Sequence, residues 1–265
     1  MRLHNTCIKL LPVFVLAFML IGLHPAARLR ISDSVEDYSV RPANKIPSPR
    51  ADHAGAYDSR KDAFYIFGGA DGGTFNNELW RFKRNRWREV TPKTRTMPEP
   101  RSRHCMVYLK SDKSLYVFGG MNQERTLGDF WQYKNRRWKK LPNGPTPREG
   151  AAMAVIPEFE SVYIFGGRNG NEYYNDLWRW NGQAWALWDG ETWRLDFLEV
   201  DITSLPGPAP RAYHFMIDYG AELITSGGEN AKGKVLVDFY NFYLHDKDTA
   251  GGWNIPANST TIHRP

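Results

Sequence analysis

Tyr116-Val117-Phe118-Gly119-Gly120 decides the reading of this chain, because the sequence around it recurs. The same run appears as Tyr65-Ile66-Phe67-Gly68-Gly69, Tyr163-Ile164-Phe165-Gly166-Gly167 and Leu223-Ile224-Thr225-Ser226-Gly227-Gly228. An arginine preceded by proline stands 18 residues before the first glycine in three copies (Arg50, Arg101, Arg148) and 16 before it in the fourth (Arg211). Nine or ten residues after the second glycine comes an acidic residue, then two aromatics spaced two apart: Glu78-Leu79-Trp80-Arg81-Phe82, Asp129-Phe130-Trp131-Gln132-Tyr133, Asp176-Leu177-Trp178-Arg179-Trp180 and Asp238-Phe239-Tyr240-Asn241-Phe242. A closing tryptophan follows at Trp87, Trp138, Trp185 and Trp253. Chance does not produce four such registers, and a period near fifty residues is the mark of a repeat architecture.

Each unit parses as four short strands. The first follows the arginine, for example His104 to Leu109. The second is the apolar run into the glycines, such as Leu115 to Phe118, apolar at consecutive positions as a strand buried on both faces requires. The third carries the aromatic pair and the fourth the last tryptophan. The double glycine permits positive φ and lets a neighbouring backbone approach where a Cβ would clash. One such sheet cannot bury both faces, whereas radial stacking of copies does, which is the logic of a β-propeller.

These residues resemble the kelch repeat. The resemblance covers Pro49 to Trp253 and implies an all-β, kelch-type β-propeller with four recognisable four-stranded blades. Kelch propellers commonly have six or seven blades, so the ring is small or incomplete, the chain is truncated, or closure comes from self-association. Repeats are placed at residues 49–99, 100–146, 147–209 and 210–253, after an N-terminal extension (28–48) and before a C-terminal tail (254–265). Blade four, with Thr225-Ser226 and Tyr240 where the others have apolar-Phe and Trp, suits an atypical terminal repeat.

The first 27 residues read as a targeting signal. Arg2 and Lys9 precede an apolar run from Leu10 to Leu23, too short to span a bilayer, and Ala26-Ala27 follow. A cleaved secretory signal is expected, with a signal anchor as the alternative; membrane association follows only in the second case. The expected location is therefore secreted or the lumen of the secretory pathway. Removal of Arg2 and Lys9 lowers the formal charge from +6 to +4, with 33 basic residues against 29 acidic, too weak to nominate nucleic acid as a partner. Cys7 leaves with the signal, so Cys105 is the single mature thiol and no internal disulfide forms.

Strand alternation sorts the loops onto two faces. One carries the basic turns Lys83-Arg84-Asn85-Arg86 and Lys134-Asn135-Arg136-Arg137, and seven basic residues between Arg81 and Arg95 stand against Glu89 alone. These turns read either as solvated surface or as a site for an anionic partner such as polysaccharide or nucleic acid. The other face carries the loops after each double glycine, polar and different in every blade: Asp71, Asn122, Gln123, Arg125, Arg168, Asn169, Glu229 and Asn230. Repeats keep their framework and vary their binding loops, so this is the expected ligand face, for a protein or carbohydrate partner. Blade three carries an insertion in which Trp180-Asn181-Gly182-Gln183-Ala184-Trp185 is echoed by Trp188-Asp189-Gly190-Glu191-Thr192-Trp193, and the Asp-Gly turn predicts a fifth strand from Glu191 to Val200.

Searches for chemistry return little. His53, His104 and His214 of the Arg-x-x-His motifs read as structural, and no metal or cofactor is expected. Gly228 to Val235 nearly spells a phosphate-binding loop but lacks its Ser or Thr and precedes a strand. Asp246 to Gly251 resembles the start of a calcium loop without its terminal glutamate. No catalytic residue is assigned. The runner-up to a binding module is an enzyme resembling kelch sialic acid mutarotases, which would need Asp71, Arg168 and Glu229 to converge. A degenerate or truncated kelch paralogue is the third reading.

Overall fold

A computed structural model describes residues 45–90, 92–196, 200–202, 205–244 and 251–254. The expected targeting signal, residues 246–250 and the C-terminal tail beyond Asn254 lie outside these residues.

Four antiparallel sheets follow one another as the blades of a β-propeller. Blade 1 contains Ala54–Asp58, Ala63–Phe67, Leu79–Lys83 and Arg86–Glu89. Blade 2 contains Cys105–Leu109, Ser114–Phe118, Phe130–Lys134 and Arg137–Leu141. Blade 3 contains Ala152–Ile156, Ser161–Phe165, Leu177–Trp180 and Trp185–Trp188. Blade 4 contains Phe215–Asp218, Glu222–Ser226, Phe239–Tyr243 and Gly252–Asn254. The fifth strand of blade 3 is present but short: Trp193–Arg194 pairs with Leu187 and Trp188. Asp189 closes its turn by accepting the Glu191 and Thr192 amides, and Arg194 then turns to bond Asp196. Residues 197–199 of the expected strand lie outside the described set.

The expected first strand of blade 2 began at His104, whereas the ladder begins at Cys105. The reason is local: Arg103 holds φ at 54°, a left-handed conformation that no strand accommodates.

Each blade is braced from within by its repeated arginine. Arg101 is fully buried and donates to both oxygens of Asp129 at 2.7 and 2.8 Å, and to the Gly119 carbonyl at 3.0 Å. Asp129 also accepts the Trp131 indole N–H. Arg148 bonds Asp176 at 2.5 and 2.9 Å, and Arg211 bonds Asp238 at 2.6 and 2.8 Å. Blade 1 uses the longer Glu78, which receives Arg50 at 2.6 Å while Asn76 receives the rest of the fork. The acidic residue downstream of the glycines is therefore the counter-ion of the arginine upstream of them. A buried guanidinium needs this pairing, since an uncompensated charge in the interior is costly.

The joint between blades explains the glycines. Gly120 N–H donates to the Arg148 carbonyl of the next blade at 2.9 Å, as Gly69 does to Arg101 and Gly167 to Arg211. A Cβ on Gly119 would lie 2.6 Å from that Arg148 oxygen, which no side chain tolerates. Three apolar cores fill the three joints, one between each pair of successive blades. His104 packs edge-on against Phe67 of the preceding blade at 5.4 Å, and His214 against Phe165 at 5.3 Å. Burial pushes both imidazoles down to about 3, so they are neutral packing groups. Cys105 is buried too, and its thiol is pushed up to about 12.

Blade 4 departs at its outer face. Among the described residues nothing approaches a Cβ placed on Gly227 within 4 Å, and Phe215 and Ile217 are exposed, as are Tyr57 and Phe64 on the far side of blade 1.

Candidate functional site

The motif Arg-x-x-His carries a second repeated feature at its third position. Asp52, Arg103, Gly150 and Tyr213 all take left-handed φ, at 55°, 54°, 64° and 57°. Their amides form a relay across the blades: Arg103 N–H donates to the Asp52 carbonyl at 2.8 Å, Gly150 to Arg103 at 2.9 Å, and Tyr213 to Gly150 at 2.8 Å. This brings one residue per blade to a common centre. Gly150 makes room for its neighbour, because a Cβ there would lie 2.8 Å from the Tyr213 ring and would displace it.

Glu149, only 6% exposed, organises the group. Its two oxygens accept Arg103 Nη1 at 3.1 Å and Arg168 Nε at 3.0 Å. Tyr213 Oη accepts from the same two arginines at 3.3 and 3.2 Å, and their guanidiniums stand 5.7 and 5.2 Å from its ring. Arg103 reaches Asp52 at 3.2 Å. Arg168 donates to Tyr173 Oη at 3.1 Å, and Tyr173 donates onward to Glu229 at 2.9 Å. Burial alone would lower the arginine pKa values, yet the bonds to Glu149, Asp52 and the tyrosines outweigh it, and both shift upward. Burial and then the Glu149 charge raise Tyr213, which stays a phenol.

The result is four blades joined by seven side chains in one charged, aromatic cluster. Both arginines keep an accessible edge, at 36% and 26% side-chain exposure. Fixed guanidinium forks beside tyrosine rings suit carboxylate, amide or hydroxyl groups of a partner. The cluster consists of groups that bind and orient.

Among the residues expected on this face, Arg168 and Glu229 enter the cluster, 3.9 Å apart. Asp71 does not: it lies exposed on the small hairpin Ala70–Asp71 with Thr74–Phe75. The convergence that a sugar isomerase would need is therefore met for two groups of three. Asn122 shapes its own loop, accepting the Glu124 and Arg125 amides, and donates to Glu99 at 2.9 Å. Arg125 pairs with the same Glu99 at 2.7 Å. Gln123 lines a shallow groove of about 370 Å³ between that loop and the blade 1 hairpin. Asn169 is exposed beside Arg168. Asn230 accepts the Lys232 and Lys234 amides and so closes its own turn.

Sequence reasoning missed Arg103, Glu149, Tyr173 and Tyr213. The signal that finds three of them is positional. Arg103 and Tyr213 share the third place of the repeated motif, and Glu149 sits one residue before the glycine that fills that place in blade 3.

No curated protein matches the chain. The sequence model of the KLHDC2/KLHL20/DRC7 Kelch-repeats domain matches residues 32–181, more than half of the chain. Blade 4 lies beyond that match but repeats its arginine brace, its glycine pair and its closing tryptophan. Kelch-repeat domains generally mediate protein interactions. By its sequence match and by the shared geometry of its four blades, the chain belongs to the kelch-repeat family.

Proposed function

We propose that this kelch propeller is a binding module of the secretory or extracellular space that recognises a protein or glycan partner through its loop face. The observation that carries the reading is the pair of guanidiniums, Arg103 and Arg168, held side by side by the buried Glu149. Their cost of ordering is met before a partner arrives, which favours tight recognition of an acidic or carbonyl-rich group. The location rests on the signal read in residues 1–27.

Affinity capture tests the proposal, with the mature chain from Arg28 as bait beside Arg103→Ala/Arg168→Ala and Arg168→Ala/Asn169→Ala. A partner that survives raised salt on the wild type and disappears from both variants supports it. A partner kept by both variants refutes it. Amino-terminal sequencing of the protein recovered from the medium tests the location; a chain found only in the cytosol overturns that half of the reading.

A second reading, self-association, is favoured by the open joint at Gly227. Blade 4 presents there the glycines that elsewhere receive the next blade, and blade 1 presents the arginine and histidine that elsewhere fill them. Two copies placed head to tail would repeat the joint already seen three times within the chain. Light scattering of the purified protein decides it, a monomer across micromolar concentrations ruling the association out.

A further inference from the structure

The opposite face of the joints, where the turns joining first to second and third to fourth strands lie, holds a repeated cross-strand pair. Tyr65 faces Arg81 in blade 1, Tyr116 faces Gln132 in blade 2, and Tyr163 faces Arg179 in blade 3. In blade 2 the pair is closed: Gln132 donates to Tyr116 Oη at 3.1 Å and to Asp112 at 2.8 Å, and Tyr116 donates to Asp112 at 2.6 Å. In blade 3 it is covered, because Trp193 of the fifth strand lies 4.8 Å from the Arg179 guanidinium and 5.9 Å from the Tyr163 ring.

Among the described residues, blade 1 has neither a carboxylate at the place of Asp112 nor a lid like Trp193. Instead, Arg88 stands directly across the ladder from Arg81, and Arg86 across from Lys83. Like charges in register on neighbouring strands repel, so this arrangement opposes folding unless something negative lies between them. Among the described residues neither Arg81 nor Arg88 makes an ion pair. The two carboxylates in reach are engaged elsewhere, Asp58 with Lys61 at 3.3 Å and Glu89 with Lys45 at 2.5 Å.

These arginines line a cleft of about 510 Å³ between blades 1 and 2, together with Arg60, Lys113, Tyr108 and Tyr133. Among the described residues, four buried polar atoms of its lining lack hydrogen-bond partners: Arg81 Nε, the hydroxyls of Tyr108 and Tyr133, the latter residue only 7% exposed, and the Asp58 oxygen that faces Lys61. A buried donor without an acceptor is costly, and a native fold rarely keeps one without use. Burial holds Tyr133 as a phenol, its pKa pushed up to about 12, so its proton is available for donation.

We propose that this cleft binds a small organic oligoanion carrying phosphate or sulfate groups, with Arg81 and Arg88 on one oxyanion and the Tyr133 hydroxyl donating to it. The volume suits a ligand of one or two sugar rings. Arginine pairs match tetrahedral oxyanions through parallel N–H bonds. Tyrosine surfaces supply the apolar contact that a bare ion does not use. The site lies on the face away from the Arg103–Arg168 cluster and stands or falls independently of it.

The test is titration calorimetry on the whole mature chain with three probes: fructose 1,6-bisphosphate, a trisulfated heparin disaccharide and inorganic phosphate. Saturable one-to-one binding of the bisphosphate or the disaccharide is expected, and whichever binds more tightly identifies the source of the oxyanion. Arg81→Gln weakens it roughly tenfold or more, and Tyr133→Phe, which keeps the ring, by several-fold. Arg84→Gln, at the turn tip, leaves it unchanged. Arg88→Gln loses the ligand yet raises the melting temperature of the free protein, since it removes the repulsion from Arg81. The proposal is overturned if neither organic probe binds, if inorganic phosphate binds as tightly, or if Arg84→Gln weakens binding as much as Arg81→Gln. The last result would mean diffuse attraction by the basic turns.

Discussion

The arginine brace lends itself to a quantitative test, because one version is buried on both sides and another has a partly exposed carboxylate. In blade 3 the Arg148 and Asp176 side chains are 0% and 1% exposed, and Asp176 also accepts the Trp178 indole at 2.6 Å. Asp176→Ala removes three acceptor contacts and leaves a guanidinium with no counter-ion in the interior, a loss of about 3–5 kcal/mol. In blade 1 the Glu78 side chain is 37% exposed, and Arg50 retains Asn76, Ser48 and the Gly68 carbonyl as acceptors. Glu78→Ala removes the Arg50 and Trp80 bonds but leaves these acceptors on the buried Arg50, so it costs about 1–2 kcal/mol, less than Asp176→Ala. Urea unfolding followed by tryptophan fluorescence reads both, with the slope against denaturant expected to stay constant. The double variant Arg148→Met/Asp176→Leu leaves no charge behind and recovers much of the loss. The reasoning fails if Asp176→Ala is no worse than Glu78→Ala, or if the double variant is no better than the single one.

Other perturbations separate the remaining parts of the argument. His104 and His214 have folded pKa values near 3 against 6.5 when exposed, so the unfolded chain binds more protons between these values. Their stability contribution is complete above about pH 6.5 and falls below it by up to about 1.4 kcal/mol per pH unit for each histidine. Urea midpoints at pH 7, 6 and 5 measure that slope, and His214→Leu makes it shallower. Asp129 is also shifted downward, because the bonds from Arg101 more than offset its burial; its contribution is held above about pH 4 and lost only below that, at a lower pH than the histidine window. Gly227→Ala meets no neighbour among the described residues and costs only the strain of positive φ, about 1 kcal/mol, whereas Gly119→Ala also collides with the Arg148 carbonyl and costs about 1–3 kcal/mol more. Equal effects of the two alanines, read by thermal melts, would remove the inter-blade joint from the account of the double glycine. Trp193→Ala uncovers Arg179 and Tyr163 and lowers stability by about 3 kcal/mol, unless the fifth strand is ornamental.

The framework was legible because its causes are spaced at fixed intervals along the chain. Arg101, Gly119, Gly120 and Asp129 answer one another within a blade, and Arg148 answers Gly120 in the next. Such a pattern is visible to anyone counting residues. The axial cluster is different in kind. Arg103, Glu149 and Tyr213 are dissimilar side chains on different blades, and they meet only because left-handed φ at one motif position turns the chain toward the axis. The loop residues are the opposite case. Asn122, Arg125 and Asn230 are polar and variable, yet much of their hydrogen bonding is spent holding their own loops. The basic turns were visible as charge, but the cleft behind them was not. It depends on what blades 2 and 3 possess and blade 1 lacks.

The serial nature of the joints bears on how the molecule opens. Each blade carries its own internal brace and packs against its immediate neighbours, so among the described residues only the axial cluster links all four blades. Blade 3, flanked on both sides and thickened by Trp193, is the natural last refuge of structure. Blade 4, whose second and third strands are only half buried, is where amide protons should be traded with solvent first. Binding at Arg103 and Arg168 would tie that fraying end to the blades before it through Tyr213. A partner would then act as a clasp, and its presence would register as slowed exchange in strands it never touches.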